Sequence, residues 1–203
     1  MKRILSITIA LFVMTLTAGV MTSFAASTAR KTLDNAAAKV NLSKGAYATF
    51  NIKGASFGTQ SGSIAMKGNK FNARTSSAII WFDGKTQWVY NKKSEEVNVS
   101  SPKSSQLAGM NPYYFLTLYK KGYKMSQTAS VQGYTVHLSN GKAGIKEMYV
   151  TVDKAYNIKQ IKMKQGQQWV TITVSRLTSK SFSDASFRFN AREFPKAEVI
   201  DLR

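Results

Sequence analysis

Trp81-Phe82-Asp83-Gly84-Lys85-Thr86-Gln87-Trp88-Val89-Tyr90 carries two aromatic-rich apolar runs on either side of an Asp-Gly pair. That arrangement predicts a β-hairpin, because Asp-Gly is a turn dipeptide and the flanking residues favour strands. The hairpin draws two of the chain's 3 tryptophans together with a Phe and a Tyr. Such side chains suit either a packed core or the wall of an apolar cavity.

The period of two extends outward from this hairpin. Ala48, Phe50 and Ile52 alternate with Thr49, Asn51 and Lys53, and Gly54, Gly58 and Gly62 then divide further short strands. Ile64/Met66, Phe71, Ile80/Phe82, Trp88/Tyr90 and Val97/Val99 continue a β-meander with turns at Gly68-Asn69, Asp83-Gly84 and Asn91. The placement predicts that Phe50, Ile52, Ile64, Met66, Phe71, Phe82, Trp88, Tyr90, Val97 and Val99 converge on one face. Further strands are expected at 134–138, 145–152, 158–164 and 169–177, with turns at Asn140-Gly141, Tyr156-Asn157 and Gly166.

Two helices complete the pattern. Ala29, Leu33, Ala36, Ala37 and Val40 give one apolar face to residues 27–44, which Lys44-Gly45 ends. Asn111-Pro112 opens a second, short helix in which Tyr113, Phe115, Leu116 and Tyr119 share an aromatic surface and Gly122 stops the run. Pro102 and Gly109 make the residues before it irregular. Two helices against a large antiparallel sheet form an α+β domain.

The start of the chain reads as an address. Lys2-Arg3, the apolar run 4–16 and Ser23-Phe24-Ala25 have the order of a signal peptide, with cleavage expected after Ala25. Residues 26–203 then form a single domain. Without cysteine the chain has no disulfide or thiolate metal site, which fits a bacterial envelope. Loss of Lys2 and Arg3 leaves 27 basic against 10 acidic side chains, a net +17. The charges are dispersed, which favours a cationic surface facing anionic partners such as lipid headgroups and gives no reason to expect nucleic acid.

Catalytic groupings are missing from the sequence. Its one histidine, His137, lies on an alternating strand, the acids are scattered, and no Gly-x-Ser-x-Gly turn or phosphate loop is present. No metal-ligand cluster and no cofactor motif is found, so an enzyme is not expected. Function must rest on a surface or a cavity.

The hairpin Asp83-Gly84-Lys85-Thr86-Gln87-Trp88-Val89-Tyr90 resembles the D-G-K-T-x-W-x-Y segment of the LolA family of periplasmic lipoprotein carriers. Gly62-Ser63-Ile64-Ala65-Met66-Lys67, Asn111-Pro112-Tyr113-Tyr114-Phe115-Leu116, and Phe187-Arg188-Phe189 followed by Pro195 to Asp201 are similar to that family in order and type. The resemblance implies a strongly curved antiparallel sheet, an unclosed half-barrel, with helices covering its concave face. It implies an apolar acyl-chain cavity lined by the ten residues of the meander stripe and gated by Tyr113, Phe115, Leu116 and Tyr119 as a lid. It further implies transport of acylated lipoproteins by a monomer in a Gram-negative periplasm. The donor would be an inner-membrane ABC-type lipoprotein-releasing complex, and the recipient an outer-membrane acceptor or an anionic membrane surface. The other function the same fold would serve is an envelope lipid-binding or stress-sensing module. Lys67 stands where the family carries an arginine that latches the closed lid, and Lys lacks the planar fork of that group.

Overall fold

The structure, a computed structural model, describes residues 17–40, 42–55, 58–102 and 118–203, with side chains from residue 26 onward. Twelve strands among the described residues form one sheet. In chain order they are β1 (Ala46–Gly54), β2 (Gly58–Lys67), β3 (Lys70–Thr75), β4 (Ala78–Phe82), β5 (Gln87–Asn91) and β6 (Glu96–Ser100). There follow β7 (Lys124–Ala129), β8 (Gly133–Ser139), β9 (Glu147–Asp153), β10 (Ile158–Gln165), β11 (Gln168–Ser179) and β12 (Glu198–Asp201). The order across the sheet is β12-β6-β5-β4-β3-β2-β1-β11-β10-β9-β8-β7.

Every pairing is antiparallel except β12 beside β6, which is parallel. The outer strands β12 and β7 do not pair with each other, so the sheet is an unclosed half-barrel. Its centre is β1, which joins the two meanders: nine residues pair with β2 on one side and with β11 on the other. A bulge between Thr49 and Phe50 in the β1–β11 ladder adds a local bend there.

One α-helix, α1 (Thr17–Lys39), is seen among the described residues. It ends earlier than residue 44, and it begins upstream of residue 27. Beyond its end, Leu42 accepts a hydrogen bond from the Gly68 N–H at 2.8 Å, which ties the exit of the helix to the β2–β3 turn. The second expected helix falls largely on residues 103–117, outside those described, and only its tail is seen, with Leu118 helical. Cover by several helices is thus reduced to α1 as far as the described residues go.

Candidate functional site: the helix-bearing apolar face

Residues opposite one another in adjacent strands share a face, so the register sorts every side chain. Ala48, Ile64, Ala73, Ile80 and Val89 follow one another across β1 to β5, and Met66, Phe71 and Phe82 form a parallel row. In the other direction Phe50 and Ile52 meet Val174 and Ile172 of β11, then Ile161, Val150 and Val136. One apolar surface therefore runs across the sheet. Helix α1 lies on it, packing Ala29, Leu33 and Ala36 among Val136, Leu138, Met148 and Met163.

This surface does not close into one core. A larger cluster gathers under α1, and a second one holds Val40, Ala46, Ala48, Ile64, Met66, Phe71 and Phe82. Along the central strands the residues between them, Phe50, Ile52, Ile172 and Val174, are only half-buried. The Phe50 ring lies over Gly62, its register partner in β2: a Cβ there would stand 2.7 Å from Phe50 Cζ. Gly62 thus leaves space for a ring that lines the open strip.

Six of the ten expected lining residues are brought together in this way: Phe50, Ile52, Ile64, Met66, Phe71 and Phe82. The other four are not. Phe82 pairs with Gln87 and Trp81 pairs with Trp88, so Trp88 and Tyr90 lie on the opposite face, with Val99 and Val97 as their partners in β6. The cause is the turn. Asp83 Oδ1 accepts from the N–H groups of Lys85 and Thr86 at 3.0 and 2.9 Å, and the Asp83 N–H donates to the Thr86 carbonyl at 3.2 Å. The loop takes four residues, 83–86, and any even number of loop residues pairs even-numbered positions of β4 with odd-numbered positions of β5, so Phe82 shares its face with Gln87 and Val89 and not with Trp88 and Tyr90.

The opposite face is closed by the end of the chain. Trp81 packs edge-on to Phe189 and Phe194 with centroids 5.6 and 5.5 Å apart, and Tyr90 lies 4.8 Å from Phe194. Lys67 belongs to the same arrangement: its Nζ donates to the Phe182 carbonyl at 3.1 Å and to Asp184 Oδ1 at 3.2 Å. Lys70 reaches the other oxygen of Asp184 at 2.7 Å. The side chain expected to latch a lid therefore fastens the C-terminal segment instead. These bonds hold the Asp184 carboxyl below the usual carboxylate range, that from Lys70 most strongly.

Of the expected lid, Tyr113, Phe115 and Leu116 lie outside the described residues. Tyr119 is buried in the larger cluster, and its hydroxyl donates to Asp34 Oδ1 of α1 at 2.7 Å. Burial first, then that hydrogen bond, pushes the Tyr119 hydroxyl far above the ordinary tyrosine range.

His137 is on the face opposite α1, stacked on Tyr149 at 4.5 Å, with Nε2 3.3 Å from Glu147. No cluster of potential metal ligands occurs among the described residues. A largely aliphatic and aromatic surface with a half-open strip can bury hydrocarbon by exclusion of water.

Solved structures and one family model are similar to this chain. A solved structure of an uncharacterized conserved protein from Thermus thermophilus matches with a TM-score of 0.56 at 14% identity, over 86% of this chain and 99% of that one. A LolA superfamily protein from Nitrosomonas europaea matches with a TM-score of 0.46 at 10% identity, over 79% and 97% of the two chains. The lipoprotein LppX of Mycobacterium tuberculosis gives 0.42 at 11% identity, over 76% and 94%. A search of curated proteins found no match. The family model described as outer membrane lipoprotein carrier protein LolA matches residues 21–167, most of the chain. This chain is thus a member of the LolA family of outer membrane lipoprotein carriers.

Proposed function

We propose that this protein binds the acyl chains of lipoproteins on its helix-bearing face and carries them through the periplasm from the inner to the outer membrane. The observation that carries this reading is the half-buried strip of Phe50, Ile52, Ile172 and Val174 between two closed clusters. Burial of hydrocarbon yields about 0.8 kcal/mol per CH₂, so one chain of ~16 carbons gains roughly 13 kcal/mol by leaving water. Free diffusion of an acylated protein is therefore suppressed, and a carrier must shield the chain while leaving it removable. An incompletely covered apolar face meets both needs.

In this reading Phe50, Ile52, Ile64, Met66, Phe71 and Phe82 line the site, and Tyr113, Phe115, Leu116 and Tyr119 cover it. Export occurs by cleavage after Ala25, leaving 26–203 as the working domain. Cleavage there retains Ala29, Leu33 and Ala36, the α1 residues of the core. The donor is an inner-membrane ABC-type lipoprotein-releasing complex, and the carrier acts as a monomer without a cofactor. Mass spectrometry of material that co-purifies with the protein from its native envelope tests the assignment. Triacylated or diacylated polypeptides are the expected cargo; free lipid alone would favour a lipid-binding or sensing module, and no acyl species at all would remove the carrier.

A further inference from the structure

We propose that one end of the half-barrel is a docking surface for an anionic phospholipid bilayer. Antiparallel alternation brings the start of β7, the β8–β9 turn and the β10–β11 turn to the same end of the sheet. Two of these are fastened together: Asn140 Nδ2 donates to the carbonyls of Lys121 and Gly122 at 3.3 Å, and the Tyr123 hydroxyl donates to the Ile145 carbonyl at 2.6 Å. The resulting platform exposes Lys120, Lys121, Lys124, Lys142 and Lys146.

Its charge is one-sided. Between Leu118 and Val152 those lysines face a single acid, Glu147, and no acid occurs between Asp153 and Asp184. Glu147 is engaged, 3.3 Å from His137 Nε2 and accepting from the Tyr149 hydroxyl at 3.1 Å. Asp34 of α1 comes near through Tyr119, whose hydroxyl it accepts. Among the described residues, Lys120, Lys124, Lys142 and Lys146 enter no ion pair. Asp83, Asp153 and Asp201 close strands at the opposite end, and further acids at the platform's own end, Glu95, Glu96 and Glu198, stand on the far strands β6 and β12 or the turn before β6.

The chemistry favours a bilayer over an acidic protein. Every cation of the platform is a lysine, the residue depleted at protein interfaces, whereas arginine is enriched there. Beside the platform the partly exposed Trp169 carries Lys162 Nζ 4.7 Å from its ring centroid and has Tyr149 at 5.9 Å. Tryptophan, tyrosine and lysine together are the makeup of groups that settle at headgroup level. Attraction of a lysine to an anionic leaflet is worth about fivefold in partition per residue.

This surface would give the proposed carrier its membrane contact, but it rests on charge placement and stands or falls apart from acyl binding. Co-sedimentation of the purified protein with phosphatidylglycerol and with phosphatidylcholine vesicles tests it. Binding to the anionic vesicles alone, weakened by salt, is expected. Lys142→Gln with Lys146→Gln should lower that partition about 25-fold, and Trp169→Ala should lower it further. Lys85→Gln with Lys154→Gln, the same charge change at the other end, should stay within about threefold of the parent. Equal losses for both pairs, absence of salt-sensitive vesicle binding, or retention only by an acidic protein would overturn the proposal. Binding of a fluorescent fatty acid by the same variants separates the two claims: its loss with vesicle binding intact would count against the carrier alone.

Discussion

At the scale of single residues, Phe50 and Gly62 carry the argument. The ring crosses a strand at a position where its neighbour has no Cβ, and a methyl group there would also stand 2.6 Å from the Arg74 carbonyl oxygen. Backbone cannot yield as a side-chain tip can, so Gly62→Ala should destabilise the fold by about 1–3 kcal/mol. Urea denaturation checks this, and the variant should also bind an acyl probe more weakly because Phe50 is displaced. The face assignment is tested by a pair. Phe50→Ala, at a half-buried site, should lower acyl affinity several-fold with a modest fall in melting temperature. Tyr90→Ala removes a ring packed on Phe194 and should lower the melting temperature while leaving acyl affinity unchanged. The reverse pattern would put the site on the other face.

At the scale of elements, the C-terminal segment is a strap held by Asp184 to Lys67 and Lys70. Because its carboxyl titrates below the ordinary 3.8, the strap's contribution is fully present above that pH and is lost as pH falls through the lowered value. Near-ultraviolet circular dichroism should report loosening around Trp81 below pH 3.8. Asp184→Asn should show that looser state at neutral pH and no further change in this window; a parent-like acid titration would show that the ion pairs do not hold the strap.

Much of this architecture was legible in residues that alternate. β8 to β11 follow from apolar periodicity, as does the half of the site built from Phe50, Ile64 and Phe71. Two strands were not. In β7, Lys-Met-Ser-Gln-Thr-Ala offers one large apolar side chain, and the strand forms because it pairs with β8 and lies under α1. The short β12 is fixed by parallel pairing to β6, a contact just over a hundred residues distant. The placement of Trp88 and Tyr90 follows from parity: a turn of two residues or of four pairs even-numbered positions of β4 with odd-numbered positions of β5, so neither ring shares a face with Phe82.

At the scale of the whole molecule, the sheet divides its work between two faces. The C-terminal strap closes the face of Trp81 and Tyr90 with aromatic rings, and among the described residues the helix-bearing face is the half-open apolar surface. A carrier needs this asymmetry, since a sheet packed solid on both sides could hold no guest and one bare on both would aggregate. Photocrosslinking tests that division most directly. A diacylglycerol with a diazirine at the chain terminus, activated on the purified protein, should give saturable adducts mapped by mass spectrometry to β1, β2 and β11, at Phe50, Ile52, Met66 and Ile172. Adducts confined to Trp88, Tyr90 or the strap, or no saturable labelling, would contradict an acyl site on the helix-bearing face.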